Sequence, residues 1–349
     1  MLTRGFKIVS PKRFEVDIEQ VVYKEGYSIV KIDNGCICKA DLRYYLGNRD
    51  SRLLGLKYPM RLLHEATGTI IKCADDSFKI GDKVVLVPNV VKKCDICEND
   101  SCNDESLGEN YCPTAKFASS NADGFSAEII SYPTNSLVKI PNDEEVLEVA
   151  VFSELISVAM AAIRRIKIEE HNTVAIWGDG IVGYILANSI RILYPKCKLV
   201  IVGKNIEKIE RFPTDLKYDI VDEKQIKRTN IDIAFECVGG EGASFAINQI
   251  INCIKIGGKI VLTGVSENDI LINSRKILEK GLTITGSTRS TKKDFEKAIE
   301  LLQNKTYRNS IKELITEKVQ IRNIVDYYKA FEEANKNRKL GKSILQFNL

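Results

Sequence analysis

The sequence predicts an α/β protein in which a β-rich first part precedes a doubly wound parallel sheet. Beyond residue 150, β-type runs alternate with helix-length segments, the pattern of a parallel sheet with crossover helices. Before it, short apolar alternations are broken by turns, as in a sheet-rich, barrel-like domain. A glycine-rich turn also joins the first β-run of the second part to its first helix. The 349 residues suit about two domains. With 44% hydrophobic and 28% charged residues the composition is that of an ordinary globular chain, which excludes a disordered, collagen-like or disulfide-scaffold protein.

In chain order, the first strand signals are Tyr27 to Ile32, Gly68 to Ile71, and Lys83 to Pro88 after the Gly81-Asp82 turn. Asn89 to Phe117 follows, a polar, cysteine-bearing stretch too long for a plain connection and therefore a candidate functional segment. Val151 to Arg165 reads as an apolar helix. The β-type runs Val174–Trp177, Leu199–Val202, Ile231–Phe235, Lys259–Leu262 and Leu282–Thr285 come next, with helical segments at Ile181–Leu193 and Gly242–Ile254 among them. From about Lys292 the chain reads as helical and charged, ending in a strand-like run at Lys342–Phe347.

No apolar run approaches the roughly 18 residues needed to cross a bilayer, and the first residues lack the apolar core of a signal peptide. A cytoplasmic address is expected. Thiols stay reduced there, so clustered cysteines favour metal binding over disulfides. The net charge of +4, from 51 basic and 47 acidic residues, gives no support to a nucleic-acid or membrane-surface protein.

Gly178-Asp179-Gly180-Ile181-Val182-Gly183 fits G-x-G-x-x-G between a strand and a helix. Gly178 would permit the tight turn, Gly180 the approach of a pyrophosphate, and Gly183 close packing of helix on strand. The N–H groups of Ile181, Val182 and Gly183 at the helix start would face the phosphates. About twenty residues on, where a carboxylate would bind the NAD ribose, the chain has Gly203-Lys204-Asn205. The 2′-phosphate of NADP is then not repelled and Lys204 could pair with it, so NADP(H) is the expected cofactor.

Two groups of residues have the composition of metal sites. Cys38, His64 and one glutamate, either Glu65 or Glu154, would give the three protein ligands of a catalytic Zn²⁺ that keeps a fourth position open. Cys94, Cys97, Cys102 and Cys112 fall within nineteen residues and suit a closed structural Zn²⁺. As a nucleic-acid ribbon the second group fits poorly. Lys92 and Lys93 are outnumbered by Asp95, Glu98, Asp100, Asp104, Glu105 and Glu109, which would repel phosphates. Cys36, Cys73, Cys197, Cys237 and Cys253 are single and read as small packing residues, and His171 as a surface residue.

In this order the motifs resemble the zinc-containing medium-chain alcohol and polyol dehydrogenases over nearly the whole chain. The resemblance implies a GroES-like catalytic domain over 1–150 with a zinc lobe at about 90–116. It further implies a Rossmann domain over 151–290 and a segment, 291–349, returning to the catalytic domain. It makes Cys38, His64 and Glu65 or Glu154 the ligands of catalytic zinc. Three departures stand out: the cysteine spacing is C-x2-C-x4-C-x9-C, Leu63 replaces the usual glycine before the histidine, and Ala40 replaces the usual relay Ser or Thr. Lys39, Tyr44 or a water held by Glu154 would then relay the proton.

The run from Cys38 through Arg43-Tyr44-Tyr45-x-Gly47-x-Arg49-Asp50 is similar to that of the ribulose-5-phosphate reductases, as are Pro59-Met60, Ser153-Glu154 and Gly286 to Thr291. That resemblance implies reduction of D-ribulose 5-phosphate to D-ribitol 5-phosphate with NADPH, supplying CDP-ribitol for teichoic acid or capsule. Arg43, Arg49 and Arg289 become candidates for the substrate phosphate. It also implies a homodimer or homotetramer working beside a cytidylyltransferase. The alternative is a zinc-dependent dehydrogenase of unphosphorylated polyols or secondary alcohols.

Overall fold

The computed structural model describes every residue except 74–75, 92–103 and 105. By contacts the chain divides into two units, one made of Met1–Ser157 with Ser290–Leu349 and the other of Val158–Arg289.

The described residues of the first unit form two larger sheets and a two-stranded ladder of Asn89–Val90 with Lys116–Phe117. A three-stranded sheet has the order Arg13–Gln20, Leu2–Ser10, Met60–Arg61. The larger sheet runs Leu137–Lys139, Lys83–Leu86, Glu65–Lys72, Tyr27–Cys36, Lys342–Phe347, Ile315–Ile321, with Ile129–Pro133 also pairing on Tyr27–Cys36. The last strand of the chain thus lies beside one of the first, antiparallel, with Ile344 opposite Cys36. Phe6 and Phe14 of the opening hairpin, Tyr45 of the Lys39–Leu46 helix, and Tyr327 and Phe331 of the Ile324–Lys336 helix are all buried. Their rings meet at 4.8 to 5.3 Å between centroids. Tyr327 and Phe331, four apart, share one helix face, so the C-terminal helix is packed into the core of the N-terminal segment.

The second unit is a six-stranded parallel sheet in the order Leu216–Asp219, Lys198–Gly203, Thr173–Trp177, Ile233–Glu236, Lys259–Leu262, Thr283–Gly286. The order reverses at Thr173–Trp177, the switch point outside whose carboxyl end ligands bind in such sheets. The near-continuous apolar runs of the central strands match burial on both faces.

The structure corrects three expectations. Leu216–Asp219 is a strand, although Leu-Lys-Tyr-Asp shows no apolar run, because it is only half-buried at the sheet edge. Ile315–Ile321 is a strand inside a stretch read as helical; its middle residues are exposed, so their charges carry no strand signal. An apolar stretch long enough to cross a membrane by length and composition does exist, at Glu144–Arg164. It is 83% buried inside the protein, and the protein interior accounts for its hydropathy.

Candidate functional site

The strand Tyr27–Cys36 delivers the chain to Cys38, which caps the helix Lys39–Leu46. The Cys38 amide donates to Asp41 Oδ2 at 2.9 Å, the carboxylate at the third helical position serving the cap as in a capping box. Asp41 is fully buried, and its Oδ1 accepts from Leu63 N at 3.1 Å and from Ser119 Oγ at 2.6 Å. The same oxygen lies 3.6 Å from His64 Nδ1. One carboxylate therefore anchors the segments carrying Cys38 and His64, an outer-shell arrangement that fixes a histidine's orientation. Burial raises the Asp41 pKa, but His64, Ser119 and the Cys38 amide outweigh it and hold it low.

Leu63 has φ 72° with no exposed surface. This left-handed backbone suits glycine and strains a bulky residue, which gives the physical reason a glycine is usual before such a histidine. Immediately after it, His64 and Glu65 are buried, Glu65 completely. One ligand atom each from Cys38, His64 and Glu65 lies within 4.8 Å of the others. Thiolate, imidazole and carboxylate are donors that suit zinc, and their spacing lets one ion gather them, so the residues present fit the metal.

Glu65 has a second partner. Both of its oxygens accept from Lys342 Nζ, at 2.7 and 2.8 Å, across the sheet. Burial would discharge Lys342, but Glu65 and the two cysteines beside it raise its pKa instead. Burial likewise opposes the charged form of His64, yet Asp41 and Cys38 hold its pKa well above the ordinary value. Glu154 is buried near these groups but is not among the three converging ligands. Burial, with Glu65 adding repulsion against the pull of His64, pushes its carboxyl up to about 7.

Among the other residues singled out in the sequence, Lys39 is exposed and Tyr44 is a core residue with the Arg49 guanidinium 4.3 Å above its ring. Tyr58 Oη donates to the Tyr44 carbonyl at 2.5 Å. Arg43 and Arg49 are half-buried beside the Lys39–Leu46 helix. Arg289, with φ 56°, belongs to the second unit, and burial lowers its pKa. Cys94, Cys97 and Cys102 lie outside the described residues. Cys112 is buried with its Sγ 3.2 Å from Thr114 Oγ1. Cys36, Cys197 and Cys253 are buried, Cys73 and Cys237 half-buried, and His171 is exposed.

In the second unit the helix Ile181–Leu193 starts at Gly180 with no side-chain cap and no acidic residue in its first turn. Its first N–H groups are left for an anion. A side chain on Gly180 would meet nothing within 4 Å, whereas one on Gly183 would strike the Gly178 carbonyl oxygen at 2.2 Å. Gly178 itself has φ 124°. The space at Gly180 and the uncapped amides fit a dinucleotide pyrophosphate. At the end of the Lys198–Gly203 strand, Lys204 is exposed.

A carboxylate is nevertheless present there. Asp179, from the glycine turn itself, accepts from Lys204 N and Asn205 N, both at 2.7 Å. A side chain on Gly203 would come within 2.9 Å of its Oδ2. The sequence shows no acid at position 203 because the acid arrives from the neighbouring strand's turn, and its charge is spent on two backbone amides. Lys342 and Asp179 were thus missed by sequence reasoning. Asp41 could have been found from its spacing three residues after Cys38.

The chain matches the alcohol dehydrogenase GroES-like domain over residues 24–142 and the zinc-binding dehydrogenase domain over 215–304. It is 37% identical to ribulose-5-phosphate reductase 1 of Staphylococcus aureus, with 99% of each chain covered. It is 34% identical to ribulose-5-phosphate reductase of Streptococcus pneumoniae, covering 95% of this chain and 94% of that protein. Among solved structures, S. aureus TarJ in complex with NADPH superposes with a TM-score of 0.85 at 34% identity, each chain covered completely.

Proposed function

The chain belongs to the zinc-binding alcohol dehydrogenases with a GroES-like domain, among the ribulose-5-phosphate reductases, and from that premise we propose that it reduces D-ribulose 5-phosphate to D-ribitol 5-phosphate with NADPH. The observation that carries the reaction class is the convergence of Cys38, His64 and Glu65 within 4.8 Å. The substrate and the cofactor rest on the full-length relatives and on the NADPH in the TarJ structure.

Cys38, His64 and Glu65 would hold the metal. When bound, zinc supplies Lewis acidity at the ketone oxygen, and NADPH supplies the hydride. Asp41 fixes His64 and the Cys38 backbone, so the donors are oriented before substrate arrives. Lys342 balances the buried Glu65. Glu154, whose carboxyl is pushed up by burial, would hold a proton and release it toward an alkoxide. Lys39 and Tyr44 are the other candidates for that proton. Gly180 and the amides of Ile181, Val182 and Gly183 would bind the pyrophosphate, and Gly203 and Lys204 the adenosine ribose with its 2′-phosphate. Arg43, Arg49 and Arg289 are proposed for the substrate phosphate, and Cys94, Cys97, Cys102 and Cys112 for a structural zinc. The ribitol phosphate would feed CDP-ribitol formation for teichoic acid or capsule by a separate cytidylyltransferase, the reductase acting as a homodimer or homotetramer.

The test is NADPH oxidation with ribulose 5-phosphate beside ribulose, sorbitol, xylulose and threonine in their respective directions, before and after chelation, with metal content measured. We expect turnover of the phosphorylated ketose that chelation removes. Faster turnover of an unphosphorylated polyol would overturn the assignment.

A further inference from the structure

Asn89 is 5% exposed, yet neither its Nδ2 nor its Oδ1 has a hydrogen-bond partner. The other buried side-chain atoms left unpartnered among the described residues are single hydroxyls and guanidinium Nε atoms. Asn89 is the one case where a whole amide, donor and acceptor together, is left without a partner. Burying both groups costs about 1–3 kcal/mol each, so a native structure that keeps them calls for an explanation.

Its position supplies one. Asn89–Val90 forms a short antiparallel ladder with Lys116–Phe117 in which Asn89 stands directly opposite Phe117. Directly opposite residues project to the same face, with Cβ atoms about 4.5–5.5 Å apart. On that face the Phe117 ring lies against His64, with centroids 5.6 Å apart. The unpartnered amide is thus carried on the side of the ladder whose Phe117 packs on His64, one of the proposed metal ligands, all within the first unit.

We infer that Asn89 is a substrate-binding residue whose amide hydrogen-bonds a hydroxyl on a carbon flanking the reacting carbonyl. A hydroxyl both donates and accepts, and so complements an amide with both functions free. A polyhydroxylated ketose offers such hydroxyls on either side of its carbonyl, whereas a simple ketone does not. This inference rests on the proposed reduction of a ketose phosphate and adds the residue that reads its hydroxyls.

The experiment compares wild type, Asn89→Leu and Asn89→Ala holoenzymes. KM is measured for NADPH, ribulose 5-phosphate and its 1-deoxy and 3-deoxy analogues, the dissociation constant of ribitol 5-phosphate by calorimetry, and Tm by scanning calorimetry. Both variants are expected to raise KM for ribulose 5-phosphate and weaken ribitol 5-phosphate about ten-fold or more, with KM for NADPH unchanged. The difference from wild type should vanish on one deoxy analogue. Tm should be unchanged or higher in Asn89→Leu, since an apolar side chain of similar size removes two unpartnered groups. An unchanged KM for ribulose 5-phosphate, a difference that persists on both analogues, or a fall in Tm with both KM values raised overturns the inference. If wild type itself fails on ribulose 5-phosphate, the reaction assignment fails first. Asn89 is then tested on whichever polyol or ketose the wild type does turn over, with the same outcomes.

Discussion

Glu65 is wholly buried, and its charge is balanced through the two contacts from Lys342 Nζ. Removing one partner of a buried pair costs about 3–5 kcal/mol, because the other charge stays uncompensated. Lys342→Met should therefore lower the unfolding free energy by about that amount, read from denaturant midpoints. Measured on chelated protein, so that no metal balances Glu65, a change near zero would mean that another side chain supplies the counter-charge. Asp41→Asn keeps the shape but removes the charge that orients His64. The loss of such an outer-shell carboxylate typically weakens metal binding about 10–100-fold, measurable by zinc competition against a chelator; an unchanged affinity would reduce Asp41 to a helix cap. His64 stood out in the sequence as one of two histidines, with Cys38 upstream, whereas the choice between Glu65 and Glu154 stayed open there; the structure brings Glu65 to the other two. Lys342 was not legible, since 277 residues separate it from Glu65 and one lysine among so many charged residues carries no local mark. The sequence marked Asn89 only as the start of a candidate functional segment; what distinguishes the residue itself is the absence of a partner, which only packing can reveal.

The turn between the Thr173–Trp177 strand and the Ile181–Leu193 helix separates two kinds of glycine requirement. Gly180 has φ −88° and free space around the missing side chain, so the protein itself does not need glycine there. Gly183 does, because its neighbour is the Gly178 carbonyl at 2.2 Å from any added Cβ. Gly180→Ala should leave Tm unchanged and raise KM for NADPH about ten-fold, as expected where backbone approaches pyrophosphate. Gly183→Ala should cost about 1–3 kcal/mol of stability through overpacking, seen as a lower Tm without ligand. Equal Tm values for the two variants would refute this division. The Ile181–Leu193 helix was legible to its ends, flanked by glycine before and an apolar stripe throughout. The Leu216–Asp219 and Ile315–Ile321 strands were not, because half-buried edge positions and solvent-facing charges leave neither an apolar run nor a clean alternation. Leu2–Ser10 and Arg13–Gln20 escaped for a related reason: the second strand exposes Val16 and Ile18 while burying Phe14.

At the scale of the molecule, chemistry is divided between the two units. The converging Cys38, His64 and Glu65 belong to the first and the glycine turn to the second. The single tryptophan of the chain, Trp177, falls on the cofactor side. It ends the strand that leads into Gly178, is 1% exposed, and its Nε1 donates to Gln249 Oε1 at 2.9 Å. Reduced nicotinamide absorbs where tryptophan emits, so NADPH bound at the turn should quench this one fluorophore by energy transfer. Because no other tryptophan contributes, the signal reports the second unit alone. Chelation acts on residues of the first unit, so it should abolish turnover of ribulose 5-phosphate while leaving the NADPH quenching curve and its midpoint in place. Tryptophan emission titrated with NADPH before and after chelation, with turnover followed in the same samples, decides the matter. If chelation removes the quenching together with turnover, the metal supports the dinucleotide site as well, and the division of labour read from the two units is wrong. Survival of the quenching alone would locate the loss of activity at metal held by the first unit, to which Cys38, His64 and Glu65 belong.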